Sequence, residues 1–184
     1  LFSNVSFALV GQLMQNEFSE SYQQLLVQHL LNPVGMKDTR IVLDSSRQQQ
    51  LAQGYSLAGL PVAPWEYRSF ESSVGLKSSV NDMLKFLRWQ IDKSDELKEL
   101  HQSIYATGID KNTYVGKGWH VLKNKRYYDL VAHAGTTSGH RAFVGFIKES
   151  KTGIVVLSNS KTGMNGFGYL VLKMINHHWK KRKL

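Results

Sequence analysis

Apolar residues recur at helical spacing in the first part of the chain and at strand spacing further on. Ser3 and Asn4 can cap a helix over about residues 5–15. Ser19 precedes a second helix in which Tyr22, Leu25, Leu26, His29 and Leu30 share one face, and Pro33-Val34-Gly35 stops it. Residues 39–43 read as a short strand, and residues 54–75 as loop-rich, with Pro61, Pro64 and the aromatics Trp65, Tyr67 and Phe70. Ser79-Val80-Asn81-Asp82 has the form of a capping-box variant, followed at helical spacing by Val80, Met83, Leu84, Leu87 and Ile91. Leu97, Leu100, His101 and Ile104 predict one more helix. The period then changes, and strands are expected over 115–122, 127–134, 141–147 and 154–157, with short turns that imply an antiparallel meander. A last helix starts near Gly166, with Val171, Ile175 and Trp179 as its apolar stripe. Helices, then strands, then one helix define an α+β fold in which helices pack on an antiparallel sheet.

Composition changes this picture little. A chain of 184 residues with 42% hydrophobic and 20% charged content buries a good core and reads as one domain over 1–184. No apolar run approaches the roughly 20 residues that span a bilayer, so no integral membrane segment is expected. Residue 1 is Leu and the chain opens at an element boundary, so it reads as a piece of something longer. The absence of cysteine excludes a disulfide framework and a thiolate metal site. The net charge of +9 is partly local: Lys180, Lys181, Arg182 and Lys183 follow the last helix. They serve either as cations favoured at a helix C-terminus or as a polybasic patch for anionic vesicles or DNA. The remaining basic residues lack aromatic interleaving, so no nucleic-acid partner is expected.

Chemistry concentrates around His133-Ala134-Gly135-Thr136-Thr137-Ser138-Gly139-His140, a polar, glycine-flanked segment between two strand-like runs. A lone His on a strand is either a packed residue or a functional one. Ser158-Asn159-Ser160-Lys161 matches Ser-x-x-Lys, and Lys161-Thr162-Gly163 matches Lys-Thr-Gly. Both read as chance matches, since Ser158 ends a strand and Lys161 leads into a loop and helix. His177 and His178 point to different faces of a helix, and with no His-Glu-x-x-His present no metal is expected.

Four segments in order resemble the class C β-lactamases and related penicillin-binding serine hydrolases. They are Phe2-Ser3-Asn4, similar to the family's Tyr-x-Asn; Asn32-Pro33-Val34-Gly35-Met36; Gly75-Leu76-Lys77-Ser78-Ser79-Val80-Asn81-Asp82-Met83; and His133-Ala134-Gly135, where the family carries Lys-Thr-Gly or His-x-Gly. The resemblance covers essentially the whole chain and implies the C-terminal part of a β-lactamase/transpeptidase-like domain, incomplete at its N-terminus. It implies a serine acylated by a β-lactam, amide or ester carbonyl of a small-molecule or peptide substrate, in a periplasmic or cell-envelope setting, without a cofactor. Such a serine needs a neighbouring base, and its tetrahedral oxyanion needs preorganised N–H donors.

The resemblance further implies that Asn4 holds substrate amide groups and that His133 faces the substrate. Gly135 would admit the substrate backbone, and the Thr136 N–H would supply one oxyanion donor. The strand ending in Asn159 resembles the next family strand, and Asn159 joins Trp65 and Tyr67 as candidate substrate contacts. The aromatics equally serve to pin a long loop. Two departures stand out. Phe2 occupies the family's Tyr position and has no ionisable oxygen, so another base acts, or chemistry has been lost, or the alignment slips by one. The family's Ser-x-x-Lys would lie upstream, so this chain alone is expected to be inactive. The alternative is a penicillin-recognising-fold protein that binds peptide or peptidoglycan without turnover. An unpaired sheet edge would favour a homodimer or pairing with the missing N-terminal segment.

Overall fold

The computed structural model describes residues 3–108, 111–124, 128–163 and 165–177. The chain forms two compact units: Leu1–Lys85 with Thr137–His140 and Asn159–Lys161, and Phe86–Thr136 with Arg141–Ser158 and Thr162–Leu184.

The first unit begins with α1 (Asn4–Phe18), capped as expected by Ser3, whose Oγ accepts from the Ser6 N–H at 3.3 Å. The helix runs a turn beyond the expected end and stops at Ser19 in the left-handed region, φ 54°. Ser21, not Ser19, caps the next helix, in a reciprocal box with Gln24. That helix, α2 (Tyr22–Leu26), passes through a π-helical turn (Val27–Leu31) into α3 (Asn32–Val34) and closes at Gly35, φ 79°. Tyr22, Leu25, Leu26, His29 and Leu30 do share one face, and with Met14 and Phe18 they line an apolar groove.

Residues 39–43 are not a strand; only one bridge forms, Arg40 to Lys77. The backbone there is satisfied by side chains instead. The Ile41 and Val42 N–H groups both donate to Gln23 Oε1, at 3.0 and 2.7 Å. The Asp38 N–H donates to Asp82 Oδ2 at 2.7 Å, and the Thr39 hydroxyl to the same oxygen at 2.9 Å. After α4 (Ser45–Gln49), the loop-rich stretch holds a two-stranded ribbon, β1 (Gly54–Tyr55) and β2 (Pro61–Val62), a 3-10 turn (Arg68–Phe70) and α5 (Glu71–Val74). Gly54 and Gly139 meet backbone to backbone: a Cβ on Gly139 would lie 2.8 Å from the Gly54 Cα. α6 (Val80–Asp92) follows, with the Asp82 N–H donating to the Ser79 Oγ at 3.2 Å. The capping box is half realised, because the Asp82 carboxylate turns inward to Asp38, Thr39 and Lys85.

The second unit is a six-stranded sheet in sequence order, every neighbour antiparallel. Its strands are β3 (Tyr105–Ala106), β4 (Thr113–Val115), β5 (His120–Leu122), β6 (Leu130–Thr136), β7 (Arg141–Ile147) and β8 (Thr152–Ser158). The expected strand over 115–122 is instead a hairpin, because Gly118 takes φ 87° and the Gly116 N–H donates to the Trp119 carbonyl at 2.7 Å. The expected helix around Leu97 to Ile104 is a series of turns. Ile104 is drawn to the sheet by its N–H donating to Val115, at 2.9 Å, and His101 bonds Gln90 at 2.7 Å. β6 begins at Leu130, and Tyr127 lies outside the described residues.

The core of this unit gathers Leu130, Ala132, Phe143, Ile147 and Leu172, with Ala134, Val156 and Tyr169 against it. Leu172 belongs to α7 (Asn165–Ile175). The buried stripe of that helix is Gly168 and Leu172, continued by Asn176, not the expected Val171 and Ile175; Ile175 is 50% exposed, and Trp179 lies outside the described residues. α7 is apolar nearly all round, so periodicity leaves its facing undetermined. The contact decides it: a Cβ on Gly168 would stand 2.3 Å from Phe143 Cδ1, so the buried ring seats on the helix at its glycine. On the opposite sheet face, Trp119, His101 and Phe146 interlock edge to face, with centroids 5.1 to 5.8 Å apart.

Candidate active site

Alternation along β6 sends Leu130, Ala132 and Ala134 to the α7-side core and Val131, His133 and Gly135 to the other face. The register pairs His133 with Val144, Gly135 with Ala142 and Thr136 with Arg141. Burial falls along the strand: Leu130 to Ala132 are buried, His133 is partly buried, and Gly135 and Thr136 are exposed. The strand thus leaves the core at His133 and presents its last turn of the pleat to solvent.

Gly135 is not required by the fold. Its backbone has no positive φ, and a Cβ there would meet nothing within 4 Å. Gly54, Gly139, Gly145, Gly153 and Gly168, by contrast, would each collide with neighbours at about 3 Å or less. A glycine inside a strand weakens it and marks close approach by a ligand or another backbone.

The direction of the Thr136 N–H follows from the ladder. The Thr137 N–H donates to the His140 carbonyl at 3.0 Å. Hydrogen-bonded and non-hydrogen-bonded pairs alternate in an antiparallel ladder, so Thr136 and Arg141 form a non-hydrogen-bonded pair and the Thr136 N–H points away from β7. On that side β5 ends its pairing at His120 with Ala132, so no strand among the described residues of this unit takes that N–H.

Burial pushes the His133 imidazole below its ordinary value, and the charge on His120 adds to this, while a backbone hydrogen bond with Gly118 opposes it. The rings of His120 and His133 lie 5.8 Å apart. His101 is also pushed down, by burial and then by Lys148. Both imidazoles therefore favour neutrality in the folded state. Each contributes stability that is present above the ordinary value of 6.5 and lost as pH falls through the folded value. The urea midpoint is expected to drop on acidification from about pH 7 to 5. A midpoint constant over that window, in urea titrations followed by Trp fluorescence, would contradict it.

The other candidates lie in the first unit, apart from Phe2, which is outside the described residues. Asn4 opens α1 with an exposed side chain. Trp65 is 48% exposed. Tyr67 is partly buried, with the Lys77 ammonium 5.0 Å from its ring centre, and burial raises its hydroxyl pKa. Lys77 also donates to the Ile41 and Gly75 carbonyls, so Tyr67 is engaged in pinning the loop. The Asn159 amide nitrogen donates to the Gln53 carbonyl at 2.9 Å, and Tyr55 bridges in parallel to Ser160. The segment after Ser158 is thus extended, not the helix start that a Ser-x-x-Lys nucleophile needs. The tail over 180–183 lies outside the described residues. Among the described residues no group of His, Asp and Glu is placed to hold a metal, and no helix is long and apolar enough to cross a membrane. Sequence reasoning missed His120, a single His in a three-residue strand that gains meaning only when β5 pairs with β6.

A family model described as Beta-lactamase matches residues 1–170, and the chain belongs to that family. It is 28% identical over 166 residues to "Protein flp" of Staphylococcus aureus (strain MW2), covering 86% of this chain and 33% of that protein. It is 25% identical over 193 residues to a "Beta-lactamase" of Pseudomonas fluorescens, covering 86% and 54%. The chain thus spans between a third and about half the length of these curated relatives. Its fold is that of the D-alanine carboxypeptidase AmpC from Burkholderia cenocepacia (TM-score 0.83, 18% identity, 94% of this chain and 60% of that one). It also matches the octameric penicillin-binding protein homologue from Pyrococcus abyssi (TM-score 0.82, 22% identity, 96% and 42%). The expected α+β, β-lactamase/transpeptidase-like architecture is the observed one.

Proposed function

We propose that this chain is the C-terminal portion of a serine hydrolase whose nucleophile lies upstream of Phe2. The serine oxygen forms an ester with the carbonyl of a β-lactam, amide or ester substrate as the bond to its leaving group breaks. The serine proton passes through a base to that leaving group, and water then hydrolyses the acyl-enzyme. In this reading His133 faces the substrate as a neutral hydrogen-bonding group. The outward Thr136 N–H is one oxyanion donor, Asn4 binds substrate amides, and no metal or cofactor takes part. Gly135 carries the reading: an exposed glycine inside a strand, with no φ or packing reason to be one, leaves room for substrate backbone.

The apolar surface supports an additional segment. Val5, Leu9, Val10, Leu13 and Phe18 of α1 are between 52% and 64% exposed, and exposed apolar patches of this kind mark an interaction surface. β8 is a seven-residue edge with no outer partner among the described residues. An upstream part of the same protein, or failing that a second copy of the chain, would cover both. In this reading the whole protein works in a bacterial cell envelope, a setting supported by the family resemblance alone.

Phe2 favours the second reading, in which the same residues bind peptide or peptidoglycan without turnover. The test is intact-mass analysis of the full-length protein after incubation with a reactive β-lactam or a fluorophosphonate. The expected result is a stable adduct on a serine upstream of Phe2, and Phe2→Tyr then raises turnover. A folded protein that forms no adduct, with or without Phe2→Tyr, overturns the hydrolase reading in favour of binding.

A further inference from the structure

The geometry points to His120 as a positioning residue for His133, the charge on one imidazole opposing a charge on the other. His120 sits at the start of β5 in register with Ala132, the residue beside His133, and its ring lies 5.8 Å from the His133 ring at an interplanar angle of 34°. At that separation in a partly buried site, two imidazolium charges repel, so protonation of one ring disfavours protonation of the other.

Within this unit, the strand register and the nearby ion pair give His133 these surroundings. Val144 faces it across β7 and is uncharged. Lys117, in the β4–β5 turn, is held to Glu99 at 3.0 Å. Arg141 pairs with Thr136, farther along the strand. Gly118, in the same turn, bonds the His133 ring through its backbone. A charge on His120 therefore opposes a charge on His133.

The role of this pair in turnover rests on the hydrolase reading above; the charge coupling does not. The test is therefore an NMR titration of imidazole resonances in the full-length protein, compared with its His120→Asn and His120→Gln variants. The His133 signal is identified by its loss in His133→Asn. Removing His120 is expected to move the His133 midpoint to higher pH and, with it, the acid limb of the kcat/KM profile. Two variants guard against one that fails to fold, and a resolved His133 signal reports a folded site. A midpoint unchanged in a folded variant overturns the inference. A moved midpoint in a protein that turns over no substrate upholds the coupling and counts against the hydrolase reading instead.

Discussion

Gly135→Val is expected to lower kcat/KM of the full-length protein by about 100-fold or more while leaving stability unchanged to within about 1 kcal/mol. A Cβ there meets no protein atom within 4 Å, so the first carbon of the side chain is accommodated without a clash. Valine suits a pleated strand, so the fold has no reason to object. On the hydrolase reading the side chain would instead occupy the space that a substrate backbone needs beside His133, and small misplacements of a reacting carbonyl are costly in rate. Paired urea denaturation and steady-state kinetics separate the two effects. Equal losses in stability and activity would mean that the glycine serves the fold, and unchanged kinetics would mean that substrate does not approach there.

Asp82→Ala is expected to destabilise the protein by about 3 kcal/mol, read as a shift in the urea midpoint. Asp82 is fully buried. Burial alone would raise its pKa. The bonds from the Lys85 ammonium, the Asp38 N–H and the Thr39 hydroxyl outweigh it and hold the carboxyl below its ordinary value. Lys85 also reaches the Gly35 carbonyl at 2.7 Å, tying the end of α3 to α6. Alanine leaves a backbone N–H, a hydroxyl and part of an ammonium without their acceptor, and unsatisfied buried donors cost more than the bonds were worth. Because the folded pKa is depressed, this contribution is present above the ordinary value of 3.8 and is lost as pH falls through the folded one. The variant should therefore show a flatter stability profile below about pH 4 than the parent. A destabilisation under 1 kcal/mol would show that water replaces the carboxylate.

Much of this was legible in the sequence wherever a local rule and the tertiary contact agree. Ser3 and Ser79 cap helices because a hydroxyl beside an orphan N–H needs nothing from the rest of the chain. The 141–147 strand and the segment through Ser158 follow period-2 patterning and glycine punctuation, which survive in any context. His133, Gly135 and Thr136 are recognisable because a short motif carries them together on one strand, so their mutual geometry is set by the pleat.

What failed, failed where a distant atom outbid local propensity. Residues 39–43 have strand-like composition, yet the Gln23 side chain takes the Ile41 and Val42 N–H groups from 18 and 19 positions away, and the Asp82 carboxylate takes the Thr39 hydroxyl from 43. The 115–122 run is apolar enough for one strand, yet two glycines fold it back on itself. In α7 nearly every face is apolar, and only the glycine that admits Phe143 selects which one is buried. By itself the sequence determined the α+β class, the meander and the motif strand, because these rest on periodicity and on backbone chemistry within a few residues. Only the tertiary structure decided that Asp82 serves the core, that Gly135 is free of packing duty, and that His120 lies against His133. Each of these depends on which atoms meet across a fold, and no spacing along one chain encodes that.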